Sequence, residues 1–568
     1  MRFKNESGPL KLYAVAGTQT VLLSFDIALA KIDTKNFLGF DIRRTDKDGS
    51  VHSLNGTKLF KSLMNDITVT DPKLKHLSLV QSFFWKDYTA DPEQTYIYTV
   101  TAMSGTALHH QPLFASTIKV RTEPLQKGKH SVYFNYGVTG SQAYVKRFGD
   151  TPVNNLAPKK KEEALAMLGR ELWKEGLIKF VQQANGKKFS LFGAFYEFQY
   201  PDFLKEIKAA KATGADVQIV FSAQPGQNKE PKANGTLRSN KQAIANAGIT
   251  AICHPRTKAN QPHNKFMVLC EDGKPKQVWT GSTNITPAGI FGQCNTGHWI
   301  VDSAIANKYM KYWTLLQTNP DLINLSAVSS TIQPDTDLKK LADGTYVFFS
   351  PRDLPAKKNT TPVHLSNYAK LIDSAKELVC MVFPFNIDDV FTKVYRKQKK
   401  YLRLLIFEKA AQAKSVKSND INLKVTGGAI LKTPVEEWAK EVSSKTTVEA
   451  GILYVHNKFF IIDPLGKDPV VISGSANFSG SSITSNDENS MLIKGDQRVA
   501  DIYLTEFNRL FEHFWPRYLS EILPKNKNQG FEKPLDETFV WHKDYFDPKK
   551  YDKKRKDLFI NMQGAVKG

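Results

Sequence analysis

The sequence predicts a multidomain protein: an N-terminal all-β sandwich followed by two α/β lobes that repeat one another. Three observations predict it. The first 125 or so residues are short β-branched and aromatic runs split by Gly, Asp, Asn and Pro. Beyond "TEPLQKGKH" helical and strand patterns alternate. One polar motif then occurs twice, in "PHNKFMVLCEDGKPKQVWTGSTNIT" and "VHNKFFIIDPLGKDPVVISGSANFS". A chain of 568 residues is too long for one hydrophobic core, so several domains are expected.

In the first region, "GTQTVLLSFDIAL", "NFLGFDIRRTDKDG", "SLVQSFFWKDY" and "TYIYTVTAM" read as strands. Tyr96, Tyr98 and Val100 alternate with Thr95, Ile97, Thr99 and Thr101, as on a half-buried strand. Asp46-Lys47-Asp48-Gly49 reads as a hairpin turn. These features resemble a fibronectin type III or immunoglobulin-like sandwich spanning 1–125. The region carries no chemistry, which makes it a spacer or docking module, open to a protein partner.

The first α/β region, 126–330, holds a helix in "KKEEALAMLGRELWKEGLIKFVQQA", a strand in "FSLFGAFYEF", a helix in "PDFLKEIKAAKATG" and a strand in "ADVQIVFSA". The second, 331–568, repeats the order in "NYAKLIDSAK", "ELVCMVFPF", "DDVFTKVYRKQKK" and "YLRLLIF". It ends in a basic stretch, "DPKKYDKKRKDLF", expected as a solvated tail.

Within the repeats, Lys265 follows His263 by two residues, Ser282 by 19 and Asn284 by 21. The same offsets separate His456 from Lys458, Ser475 and Asn477. Packing would preserve an apolar pattern and has no need of these four polar identities. Strand alternation points each His and Lys to one side, with Ser and Asn a second pair on a neighbouring segment. Ammonium, hydroxyl and amide suit the non-bridging oxygens of a phosphate, and imidazole can attack phosphorus or deliver a proton. No carboxylate cluster of metal-ligand type occurs, so neither a metal ion nor another cofactor is expected.

The two segments resemble the duplicated HxKxxxxD/GSxN motifs of the phospholipase D superfamily, over roughly residues 130–530. The resemblance implies two α/β lobes related by a pseudo-twofold axis, with one active site between them. It also implies phosphodiester cleavage through a covalent phosphohistidine. Asp463, seven residues after His456, is implied to brace the lobe interface; Cys270 stands at that offset in the first copy, followed by Glu271. The position 32 residues after each histidine is implied to hold its other ring nitrogen. It is Asn295 in the first copy and Glu488 in the second. Read by position, Asn295 partners His263 and Glu488 partners His456. On that pairing His263 stays neutral and is the nucleophile, and His456 is the general acid. His298 reads equally as a packed histidine or a neighbour of the site. Glu197 is placed to line the cleft by nothing in the sequence.

Lys and Arg total 78 against 56 Asp and Glu, a net charge of +22. That excess favours nucleic acid as partner, with an anionic membrane phospholipid as the alternative. A non-catalytic scaffold is a third reading, supported by Cys270 alone. No amphipathic helix with a strongly apolar face argues for lipid. Both half-motifs lie on one chain, so catalysis is expected to need no oligomer. Cys253, Cys270, Cys294 and Cys380 fit no zinc or disulfide spacing. With no signal-peptide core and no apolar run long enough to span a membrane, the expected location is the cytoplasm.

Overall fold

The computed structural model describes the chain except residues 57, 65–73, 225–235, 355–359, 386, 409, 417, 429–454 and 523–533. In the N-terminal region, strands Arg2–Asn5, Leu10–Ala16, Val21–Ile27 and Phe84–Asp87 form one antiparallel set. Phe37–Thr45, Val51–Ser53, Thr95–Gly105 and His110–Arg121 form another. Leu12, Phe25, Ile42, Val100 and Ile118 from both sets share one core. Tyr96, Tyr98 and Val100 are buried on Thr95–Gly105, followed by Ala102 and Ser104, as the alternation requires. The turn at Asp46 closes with its N–H donating to the Ser50 carbonyl at 2.9 Å.

The basic C-terminal stretch is not a solvated tail. Val566–Lys567 adds a parallel strand beside Phe3–Lys4, and helix Tyr551–Ile560 packs on the N-terminal sheet. Lys556 is buried, with its ammonium 3.1 Å from Asp26. Arg555 reaches Glu512 at 2.8 Å and lies 3.8 Å from the Phe84 ring centre. The charge run hid an apolar set: Phe559 and Met562 are buried, and Tyr551 and Leu558 pack against the same core. Trp541, Tyr545 and Phe546 likewise join the N-terminal core.

The two lobes have the same sheet. The first runs Cys253–Arg256, Asp216–Ser222, Phe189–Phe195, Lys265–Glu271, Lys274–Gly281, Thr296–Val301, His130–Phe134. The second runs Leu423–Gly427, Leu402–Phe407, Leu378–Phe383, Phe459–Ile462, Val470–Gly474, Asn486–Lys494, Gly344–Ser350. In each, the first three strands are parallel and the rest antiparallel. Helices Ser303–Gln317 and Gln497–Ile522 lie in the core the two sheets share. There Phe266, Tyr309, Tyr312 and Phe349 meet Phe459, Tyr503 and Phe507. Helix Leu322–Ile332 crosses the boundary expected at 330. The helix expected over 160–184 is broken at Arg170, whose φ of 42° lies outside the helical region.

Candidate active site

Each histidine precedes its strand, and the segment leading into it crosses to the other lobe. Gln261–Pro262 pairs in parallel with Asn486–Asp487, and His263 N–H donates to the Asp487 carbonyl at 2.9 Å. In the other half Val455 bridges Cys294, and His456 N–H donates to the Cys294 carbonyl at 3.1 Å. The next residue along the opposite strand therefore meets each imidazole. His263 Nδ1 is 2.9 Å from both carboxylate oxygens of Glu488. His456 Nδ1 is 2.9 Å from Asn295 Oδ1. This reverses the pairing by sequence position: Glu488 holds His263 and Asn295 holds His456. The offset of 32 residues is the same in both repeats, but the twofold exchange carries each partner across the lobe boundary.

The serines also sit differently from the expectation. Ser282 Oγ donates to Asn295 Oδ1 at 2.8 Å and accepts from Thr296 N–H at 3.0 Å. Ser475 Oγ donates to Glu488 Oε2 at 2.7 Å and accepts from Asn489 N–H at 3.0 Å. Both are fully buried. Their hydroxyls hold the groups that hold the histidines, and are committed there and not to a phosphate oxygen. Gly281 and Gly474 precede them at φ of 150° and 152°, where a Cβ would lie 2.2 Å from the Thr296 carbonyl and 2.4 Å from that of Asn489. Only glycine lets the serine backbone approach the partner strand this closely.

Lys265 and Lys458 are both buried, and each ammonium donates to the carbonyl of its own histidine, at 2.7 and 2.9 Å. Burial pushes Lys265 down to about 8, against the attraction of Glu488 and Glu197. Burial and the neighbouring Lys265 push Lys458 well below the usual lysine range. Burial lifts the Glu488 carboxyl to about 8, opposed by Lys265, Ser475 and Lys458. Two desolvated ammonium groups and one desolvated acid form a site that an entering phosphate anion would relieve.

Asn284 Nδ2 donates to Glu197 Oε2 at 2.6 Å. Asn284 Oδ1 and Asn477 Oδ1 are buried with no hydrogen-bond partner among the described residues. Asp463 does not brace the lobes. Its carboxylate accepts from the N–H groups of Lys376, Glu377 and Leu378 at 2.9, 2.7 and 3.0 Å, closing a turn inside the second lobe. Cys270 is a buried member of the core, and Glu271 pairs on the surface with Lys188 at 2.8 Å. His298 is packed, 3.0 Å from His130 Nδ1 and 3.2 Å from the Tyr503 hydroxyl.

Several contributors carry no signal in the spacing used. The Tyr196 ring lies 4.9 Å from that of His263, with Lys265 Nζ 5.2 Å from its centre. Phe385 lies 6.5 Å from His456, with Lys458 Nζ at 5.9 Å. Asn489 Nδ2 donates to Asn264 Oδ1 at 2.9 Å, and Thr296 Oγ1 to Asn457 Oδ1 at 2.8 Å. The repeated "HN" dipeptide was the available sign: the residue after each histidine locks to the residue after the other lobe's partner.

Residues 177–315 and 368–511 each match the family described as "Cardiolipin synthase, PLD-like domain". Over 94 residues the chain is 31% identical to a Homo sapiens protein named mitochondrial cardiolipin hydrolase, 16% of this chain and 35% of that one. It thus spans about a third of that relative's length. A phosphatidylserine synthase from Haemophilus influenzae is similar at a TM-score of 0.40 and 12% identity, over 64% of this chain and 90% of that one. The Salmonella typhimurium phospholipase D family member Nuc is similar at 0.20 and 26%, over 25% and 86%. With both family matches each holding one of the two HNK segments, the chain belongs to the phospholipase D superfamily.

Proposed function

We propose that the chain is a phosphodiesterase that works through a phosphohistidine, with nucleic acid as its substrate. The crosswise histidine pairing carries this reading. A carboxylate can only accept from Nδ1–H, so in the deprotonated His263–Glu488 pair Nε2 is the unprotonated nitrogen, the one that attacks phosphorus. The Glu488 charge then stabilises the cationic phosphoimidazole. His263 is the nucleophile on this ground, not on the Asn295 contact expected from position. Asn295 fixes the tautomer of His456 without adding a charge, which suits a group that must give its Nε2 proton to the leaving oxygen. His456 next takes a proton from water, water oxygen bonds to phosphorus, and the His263–phosphorus bond breaks. Lys265, Lys458, Asn284 and Asn477 are assigned to the non-bridging oxygens.

The +22 charge supports nucleic acid over lipid. Among the described residues no helix is long and apolar enough to cross a membrane. The four free thiols support a cytoplasmic site of action. Among the described residues no group of three or more His, Cys, Asp or Glu is arranged to hold a metal ion, and the donor set of His, Lys and Asn suits an anion. The test is purified protein with EDTA against single-stranded DNA, duplex DNA, RNA, and phosphatidylcholine or anionic vesicles. Cleavage of nucleic acid that falls steeply with salt is expected. Turnover lost to EDTA and restored by Mg²⁺ overturns the metal-free mechanism. A second reading, hydrolysis of membrane phospholipid, is favoured by the family's description and by the likeness to a protein named for cardiolipin. Headgroup or phosphatidate release from vesicles without nucleic-acid cleavage decides for it.

A further inference from the structure

The two half-sites share a frame but differ at one position of it. Phe195 faces Lys265 across the sheet. In the other lobe Val379 faces Ile462 and Met381 faces Phe460, a register that sets Phe383 opposite Lys458. Two residues beyond stand Glu197 in the first half-site and Phe385 in the second. Phe385 brings an apolar ring towards His456 and Lys458. Glu197 brings a carboxylate to Asn284. The Glu197 backbone is tied to the same motif, since Ile285 N–H donates to its carbonyl at 3.1 Å and Phe198 bridges Ile285. The acid and the amide are therefore fixed to each other through both main chain and side chain.

Resting on the phosphodiesterase reading, we propose that Glu197 is a positioning residue: by accepting from Asn284 Nδ2 it sets the carboxamide to offer its second Nδ2 proton to a non-bridging phosphate oxygen. A neutral acceptor would let the amide turn over; a carboxylate does not, because Oδ1 has no proton to give it. Asn284 is buried and its Oδ1 has no partner among the described residues, so the amide's orientation rests on the Glu197 contact. The same charge attracts Lys265 and favours its ammonium form. An acid beside a phosphate site would otherwise repel the ligand, and here it acts through the two donors it holds.

The test is Glu197→Gln, with Glu197→Asp as the charge-preserving variant, titrated with inorganic phosphate by calorimetry at pH 6 and pH 8. Turnover of bis(p-nitrophenyl) phosphate is followed in parallel. Expected for Glu197→Gln is phosphate binding weakened about tenfold at pH 8 and less at pH 6, where Lys265 stays charged in both proteins. Turnover falls with it while the melting temperature is unchanged, and Glu197→Asp recovers part of the loss. If Glu197 acts only by repelling anions, Glu197→Gln binds phosphate equally or more tightly at both pH values, and the proposal fails. A wild-type protein with no diester turnover defeats the phosphodiesterase reading, while the phosphate titration still decides the role of Glu197.

Discussion

The two halves of the candidate active site are built from the same motif residues at the same offsets, yet they present their histidines to unlike partners. His263 rests on a buried carboxylate and His456 on a carboxamide. Backbone registers, serine supports and lysine-to-carbonyl bonds are duplicated nearly bond for bond. The repeat thus supplies a symmetric cradle, and on the proposed mechanism its differences at Asn295/Glu488 and Glu197/Phe385 divide the labour. The direction of that division is what the following measurements break or sharpen.

The largest effect is expected at the histidines. His263→Ala removes turnover of every phosphodiester, because no attack occurs. His456→Ala costs about 10²- to 10⁴-fold with a poor leaving group and far less with a p-nitrophenyl group, which departs without protonation. Acid-quenched mass spectrometry locates the adduct. A phosphoryl group on His456 and never on His263 reverses the roles.

Exchanging the partners comes next. Glu488→Gln should lower kcat/KM about 10²- to 10⁴-fold, as expected when a histidine loses the carboxylate that sets its tautomer and balances its charge. Asn295→Asp should cost less and move the pH profile instead, since it stabilises the His456 proton. In the native protein activity should rise with pH as Glu488 loses its proton near 8, and fall as Lys265 loses its own near 8. A narrow bell is therefore expected, with its acidic limb displaced in Glu488→Gln. An unchanged acidic limb in that variant removes the pair from the mechanism.

The alternation of strands and helices in each lobe and the duplicated motif were legible in the chain because each leaves a local mark. Alternation marks strands, and fixed offsets mark the site. The histidine partners were legible as positions but not as pairs, since a constant offset of 32 residues cannot say which lobe a side chain enters. The C-terminal helix was misread because Lys553, Lys554, Arg555 and Lys556 dominate its composition, while its contacts with Asp26, Glu512 and Phe84 come from residues distant in the chain. Glu197 and Phe385 were out of reach for the same reason. They are equivalent only through strand registers, and one is an acid where the other is a ring.

Lys265 tests what this site costs the fold. Its folded-state pKa is about 8, below the ordinary 10.5, so burial as an ammonium destabilises the fold at neutral pH. A shift of this size corresponds to on the order of 3 kcal/mol. The sign is as follows: between about 8 and 10.5 the unfolded chain binds more protons, so stability rises with pH over that window. Lys265→Met should abolish activity, raise stability at pH 7 by an amount up to that order, and reduce the rise with pH. Denaturant unfolding at pH 7 and pH 10 measures both. A variant less stable than the native protein at pH 7 would show that the Glu488 charge, left without Lys265, outweighs the relief.

The smallest effect separates the lobes by their turns. Asp463 adopts φ of 46° and gathers three backbone N–H groups at the start of Leu378–Phe383. In the first lobe the strand runs on to Glu271 and the hairpin turns at Asp272 and Gly273, which leaves Cys270 inside the core where a carboxylate would be unpaired. The acid at offset seven thus follows hairpin length, and its absence from the first copy is no defect of the site. Asp463→Ala should cost about 0.5–1.5 kcal/mol, the net scale of a hydrogen bond whose donors water can reach, as at Lys376 and Glu377. The turn lies at the opposite end of Phe459–Ile462 from Lys458, so kcat should stay within about twofold of native below the unfolding transition, an expectation from this placement. Cys270→Asp should instead destabilise the first lobe, because it buries a carboxylate among apolar side chains. A large loss of kcat in folded Asp463→Ala would restore the lobe-bracing role that the hydrogen bonds of this turn do not support.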